Sequence, residues 1–152
     1  MNAAFNILVA EDNVDDVFLL RQAFTRAGVA SRLHAVGDGL EALAYLKGEN
    51  AFAERGSNPF PDLLLLDLNM PRMNGFELLE RLREDARCSR LVVYVLTASP
   101  RETDVQRAYE LGANSYVVKP SRVDELVEFV TALHQWHHFA VLPPQPDGEV
   151  NN

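Results

Sequence analysis

Leu63-Leu64-Leu65-Leu66-Asp67-Leu68-Asn69-Met70-Pro71 is the stretch on which the reading of this chain turns. Four leucines in a row would suit a helix by propensity alone, but the run is short and bracketed by Pro59, Pro61 and Pro71. Proline interrupts helix on both sides, so the run reads as a central strand that ends at a carboxylate. A continuous apolar strand, without polar alternation, is buried on both faces and belongs to a parallel sheet.

Outward from this strand the same unit repeats. Phe5 to Ala10 is a short apolar run that stops at Glu11-Asp12, and Val14, Val17, Phe18, Arg21 and Phe24 then recur at spacings of three and four before Gly28. Ser31 to Val36 is a weaker strand, and Asp38 is placed to cap a helix carrying Leu40, Leu43 and Leu46. Downstream, Phe76, Leu79 and Leu82 form a helical stripe and Leu91 to Leu96 a β-rich run. Val105, Ala108, Tyr109 and Leu111 form another stripe, closed by Gly112, followed by a short strand at Tyr116 to Val118 and a long helix from Val123 to Phe139. Five strand-helix units in strict alternation predict an α/β fold, a doubly wound five-stranded parallel sheet with helices on both faces.

Composition supports one domain. The chain has 152 residues, 47% of them hydrophobic, enough for a real core. Its formal net charge of −8 disfavours non-specific binding to nucleic acid or to anionic membranes. Cys88 is the single cysteine, which excludes an internal disulfide and a cysteine-based zinc site. No apolar run is long enough to span a bilayer, and Met1 to Phe5 lacks the features of a signal peptide, so a cytoplasmic protein is expected. Residues 1–140 are read as the domain and 141–152 as a tail, ordered in part at most.

Ligands of such sheets bind beyond the carboxyl ends of the strands. Here those ends carry Glu11 and Asp12, then Asp67, then Thr97, then Lys119. Clustered carboxylates either hold a proton or bind a cation, and an all-oxygen set without His or Cys suits Mg²⁺. An Asp beside such an ion can act as a nucleophile toward a phosphoryl group, with an ammonium and a hydroxyl to stabilise the transferring oxygens. Lys119 and Thr97 fit those two roles. Asp67 as a mere helix cap is ruled out by distance, because the next helix starts near Asn74. Asp15 and Asp16 read as first-turn acids that favour the helix dipole rather than as metal ligands. His134, His137 and His138 have helical spacing, but near a helix end a polar surface is the simpler reading than a metal site.

These residues resemble the receiver domains of two-component response regulators over roughly residues 5 to 135. The resemblance rests on Glu11-Asp12, on Asp67-Leu68-Asn69-Met70-Pro71-Arg72-Met73-Asn74-Gly75, on Leu96-Thr97-Ala98 and on Tyr116-Val117-Val118-Lys119-Pro120, in this order. It implies a (βα)5 flavodoxin-like receiver fold in which Asp67 accepts a phosphoryl group from a histidine kinase. The family's Mg²⁺ would be held by Asp12 and Asp67 directly, by Glu11 through water and by the Asn69 backbone carbonyl. It further implies that Thr97 and Tyr116 are a switch pair and that the Lys119–Pro120 peptide is cis. A haloacid-dehalogenase-like phosphatase also has a nucleophilic Asp after a strand, but it wants an acid two residues on, where this chain has Asn69. A flavodoxin-like FMN site would need a phosphate cradle in the first loop, and Glu11 to Asp16 is acidic.

Two segments depart from a minimal domain of this kind. Lys47 to Pro61 is a long connection with Phe52 and Phe60 as apolar pins, similar to single-domain regulators paired with phytochrome-type sensor kinases. Past the expected end of the core, on the last helix and the tail, Trp136, Phe139, Val141 and Leu142 form an apolar strip. It could pack back on its own domain or cover a partner subunit, and the homodimer is the preferred reading. The 13 residues after Phe139 cannot form an output domain, so output is expected through a downstream protein partner or onward phosphotransfer. The competing reading is a dimeric docking module of the same fold that works without phosphorylation.

Overall fold

The computed structural model describes residues 5–146. Five strands, β1 (Phe5–Ala10), β2 (Ser31–Val36), β3 (Leu63–Leu66), β4 (Val92–Thr97) and β5 (Ser115–Val118), alternate with α1 (Val14–Arg26), α2 (Gly39–Lys47), α3 (Gly75–Glu84), α4 (Glu102–Glu110) and α5 (Val123–Phe139). All pairings are parallel in the order β2-β1-β3-β4-β5, the doubly wound topology expected.

The leucine run is a strand because both its faces are covered. Leu64 and Leu66 point, with Leu8, Ala10, Val93 and Val95, into the core made with α2 and α3. Leu63 and Leu65 point the other way, with Ile7 and Val9, against α1 and α5. All four leucines are essentially inaccessible, and burying each contributes about 1.5–3 kcal/mol.

Register then delivers the strand ends to one rim. Ala10 lies beside Leu66 and Leu66 beside Val95, so the Asp67 N–H donates to Ala10 O at 3.0 Å and Glu11 stands next to Asp67. On the other flank, Lys119 N–H donates to Thr97 O at 2.7 Å.

Several helix faces differ from the stripes expected. In α1 the buried residues are Leu20, Ala23 and Phe24, while Val14 and Phe18 face solvent. The apolar spacing of that helix fits two overlapping faces, and packing against α5 selects the one containing Leu20. Leu40 and Tyr109 are exposed in the same way, and α4 buries only Ala108.

The long connection is ordered by its pins. Phe60 is buried, and Phe52, in a 3-10 turn at Asn50–Phe52, packs against Tyr45 with ring centroids 5.0 Å apart and ring planes tilted by 50°. Arg55 donates to the carbonyls of Tyr45, Leu46 and Asn58, satisfying the C-terminal end of α2. Of the tail, Leu142 is half-buried near Phe60 and Pro61, and Gln145 Nε2 donates to Asp62 Oδ1 at 3.3 Å. The part of the expected tail beyond residue 146 lies outside the described residues.

The loop after β3 is locked from two sides. Arg72 has a left-handed backbone, φ 65°, and its guanidinium grips Asp38 Oδ2 with Nε at 2.9 Å and Nη2 at 2.7 Å. Asp38 also caps α2, so the two loops share one carboxylate. Gly75 opens α3 directly over the phospho-acceptor candidate: a Cβ there would lie 2.5 Å from Asp67 O and 2.7 Å from Leu68 Cα. Gly75→Ala is therefore expected to lose about 1–3 kcal/mol in a chemical-denaturation titration. A Cβ at Gly37 meets nothing closer than 3.7 Å, and Gly37→Ala should stay within about 0.5 kcal/mol of wild type.

A carboxylate cluster and a lysine at the strand ends

Asn13 starts α1 by accepting hydrogen bonds from the N–H groups of Asp15 and Asp16, at 2.9 and 3.2 Å. That cap turns the chain sharply after β1 and leaves Glu11 buried and Asp12 exposed beside Asp67. Glu11, Asp12 and Asp67 each offer an oxygen within 4.8 Å of the others, and no other His, Cys, Asp or Glu cluster of this kind occurs among the described residues. Three converging carboxylate oxygens with no soft donor fit a hard divalent cation. His134, His137 and His138 do not converge, and His137 instead lies between the rings of Phe5 and Tyr94.

Asp67 is buried, and each of its oxygens has partners. Oδ1 accepts from Thr97 Oγ1 at 2.7 Å and from Asn69 N–H at 3.2 Å, while Oδ2 accepts from Lys119 Nζ at 3.1 Å. Lys119 Nζ also donates to Glu11 Oε1 and to Asp16 Oδ2, the latter at 2.8 Å. Asp16 is thus more than a first-turn acid: it is a residue of the site, which helix-start logic missed. No local signal marks it, because its partner Lys119 lies 103 positions further along the chain.

The charges sort themselves by environment. Burial, then a hydrogen bond shared with Asp67, pushes Glu11 up to about 8. Burial acts in the same sense on Asp67, but hydrogen bonds from Glu11 and Thr97 and the charge of Lys119 outweigh it and hold Asp67 below the usual carboxylate range. Burial pulls Lys119 down, yet its bonds to Asp16 and Glu11 and the charge of Asp67 leave it raised and firmly protonated. At neutral pH the cation-free site keeps the proton on Glu11 and the negative charge on Asp67.

Tyr116 lies on the edge strand, half-buried, and its hydroxyl donates to Ser99 O at 2.8 Å. Ser99 Oγ in turn donates to Asp104 Oδ2 at 2.6 Å in the first turn of α4. Thr97, Ser99 and Tyr116 therefore connect Asp67 to α4. Pro120 lines a small recess beneath the site with Lys119. The cis Lys119–Pro120 peptide expected from the resemblance is absent, as no cis bond occurs among the described residues; trans is the lower-energy form even before proline. Trp136, Phe139 and Val141 are 60%, 80% and 97% exposed, far from this rim, whereas Leu142 packs on its own domain.

A parallel five-stranded sheet with an acidic triad, a hydroxyl and a lysine at its carboxyl rim defines a class, and comparison with known proteins agrees. The family model of the response regulator receiver domain matches residues 7–131, and the chain belongs to that family. It is 33% identical to response regulator Rcp1 of Synechocystis over 90% of this chain and 92% of that protein. The Mn²⁺-bound form of Rcp1 superposes with a TM-score of 0.80 at 32% identity, covering 92% of this chain and 99% of that one. The phosphorylated cyanobacterial phytochrome response regulator RcpA gives 0.84 at 35% identity, covering 93% of this chain and 100% of that one. Response regulator RPA3017, in red light signaling of R. palustris, gives 0.88 at 40% identity, with 93% of this chain and 99% of that one covered.

The raised Glu11 carries a pH dependence. An acid titrating near 8 when folded and near 4.5 when unfolded gives a stabilising contribution that is complete below about 4.5 and lost as pH rises toward 8. Without divalent cation, the thermal midpoint should fall between pH 5 and 8. The fall should be smaller in Glu11→Gln, as read by calorimetry.

Proposed function

We propose that this chain is a phosphorylation switch in which Asp67 takes a phosphoryl group from a phosphohistidine of a sensor kinase. The observation that carries the reading is the environment of Asp67: a buried carboxylate kept ionised, with Thr97 at 2.7 Å and Lys119 at 3.1 Å. In the transfer an Asp67 oxygen forms a bond to phosphorus as the P–N bond to imidazole breaks. The imidazole departs with the electron pair and takes a proton from solvent. Lys119 donates to a phosphoryl oxygen and stabilises the charge gathering there, and Thr97 Oγ1 turns from the carboxylate to a second oxygen. Glu11, Asp12, Asp67 and the Asn69 backbone carbonyl would hold Mg²⁺, which supplies further charge neutralisation when bound. Hydrolysis of the acyl phosphate resets the switch, so the domain catalyses its own phosphorylation and dephosphorylation.

Thr97, Tyr116 and Pro120 are the residues through which the change would spread. When Thr97 follows the phosphoryl group, the loop at Ser99 moves with it. Tyr116 and the first turn of α4 are tied to that loop. α4 buries only Ala108, so little side-chain packing opposes a shift of its first turn. The similarity to RcpA and RPA3017 supports a phytochrome-type histidine kinase as the donor. The exposed strip of Trp136, Phe139 and Val141 supports a homodimer formed through α5 and the start of the tail. The rival reading, a docking module that dimerises without phosphorylation, rests on that same strip.

Intact mass after incubation with acetyl phosphate separates the two. A Mg²⁺-dependent gain of one phosphoryl group, absent in Asp67→Asn, is the expected result, and no gain in wild type under any condition would leave the docking module. For the interface, sedimentation should give a dimer that Phe139→Asp converts to monomer, since a carboxylate in a desolvated apolar contact costs about 2 kcal/mol or more.

A further inference from the structure

The ammonium of Lys119 has three hydrogens and meets three carboxylates, each from a different element: Glu11 after β1, Asp16 in the first turn of α1 and Asp67 after β3. Glu11 and Asp67 belong to the group whose oxygens converge with Asp12 on a cation site, and Asp16 does not. Beneath the ammonium lies a recess of about 50 Å³, lined on the α1 and α5 sides by apolar Val17, Leu20 and Leu126. Apart from Lys119 itself, the charged residues lining that recess are Glu11, Asp16 and Asp67. The side chains of Lys119 and Asp16 are 20% and 38% exposed, so the pair stands at the edge of the site where solvent screens it only in part.

We infer that Asp16 is a positioning residue for phosphoryl transfer, acting through Lys119 rather than on the cation or the phosphoryl group. This rests on the phosphorylation reading above. When a cation and a phosphoryl group engage Glu11 and Asp67, those two carboxylates are committed elsewhere. Asp16 is the remaining anchor that holds Nζ on the α1 side, with an N–H left to point at a phosphoryl oxygen. The Asn13 cap fixes the helical turn that carries Asp16, so the anchor is set by the backbone and not by a mobile loop. With Asp16 neutralised, the four-carbon stem is free over an apolar recess and the ammonium samples positions away from the transferring group.

The test follows phosphorylation by acetyl phosphate with Mg²⁺, by intact mass over time. Here an Asp67 oxygen bonds to phosphorus as the bond to acetate breaks and acetate leaves with the electron pair. Asp16→Asn should slow uptake roughly tenfold, and Asp16→Glu should recover part of the rate because a carboxylate is restored. In a Lys119→Met background, Asp16→Asn should cause no further fall, the signature of a residue that works through Lys119. By NMR, the Lys119 Nζ protons should exchange with water faster in Asp16→Asn than in wild type. Calorimetric titration of Mg²⁺ should be unchanged, whereas a residue supporting the ion itself would lower that affinity by about 10–100-fold. Wild-type uptake and proton exchange in Asp16→Asn would overturn the inference while leaving the phosphorylation switch intact. So would an equal loss in the Lys119→Met background or a loss of Mg²⁺ affinity. Failure of wild type to take up phosphoryl would instead remove the parent reading, and this inference with it.

Discussion

One lysine ammonium surrounded by carboxylates sets the terms for the whole rim of this sheet. Burying Asp67 without compensation would be prohibitive, and burying Glu11 beside it worse. Lys119 neutralises one of the two and the other keeps a proton, which is why two adjacent acids have opposite shifts. The site is therefore built one cation short: it accommodates its acids only by protonation or by recruiting positive charge. That deficit, together with oxygen donors alone, gives the rim the chemistry of a hard-cation site.

The sheet makes this arrangement rigid where it needs to be. β1 and β3 are buried on both faces, so the positions of Glu11 and Asp67 are dictated by register. The loop after β3 cannot drift, because Arg72 and Asp38 pin it to α2 and because Gly75 allows α3 to begin in contact with the Asp67 backbone. At the opposite end of the sheet Arg83 donates to the carbonyls of Gly112, Ser89 and Leu91 and to Asn114 Oδ1, clamping the far end of α4. α4 is thus held firmly at its C-terminal end and, at its first turn, by the short chain from Tyr116 through Ser99 to Asp104. A helix fixed at one end and tied at the other, through Ser99, to the loop that follows Thr97 is coupled to the surroundings of Asp67.

The apolar residues past the core divide by contact. Leu142 belongs to the domain itself, near Phe60 and Pro61 from the long connection, with Gln145 bonded to Asp62. Trp136, Phe139 and Val141 have no such cover. The long connection is thereby given a structural purpose: its pins fill the space beside Tyr45 and offer the tail a surface.

Strand positions, their order along the chain and the chemistry of their ends were all legible from the sequence. Short apolar runs bounded by proline, glycine and acid admit few other readings, and Glu11, Asp12, Asp67, Thr97 and Lys119 each follow such a run. Helix faces were less legible: α1 carries apolar residues on overlapping stripes, and only contact with α5 decides that Leu20 is buried and Phe18 is not. Asp16 was unreadable as a site residue because its partner is 103 positions away, and nothing local distinguishes a dipole-favouring acid from an anchor for a distant lysine. Which acid keeps the proton was equally closed to the sequence. Two neighbouring carboxylates are chemically equivalent until burial and the direction of a lysine make them different, and those are properties of the tertiary structure alone.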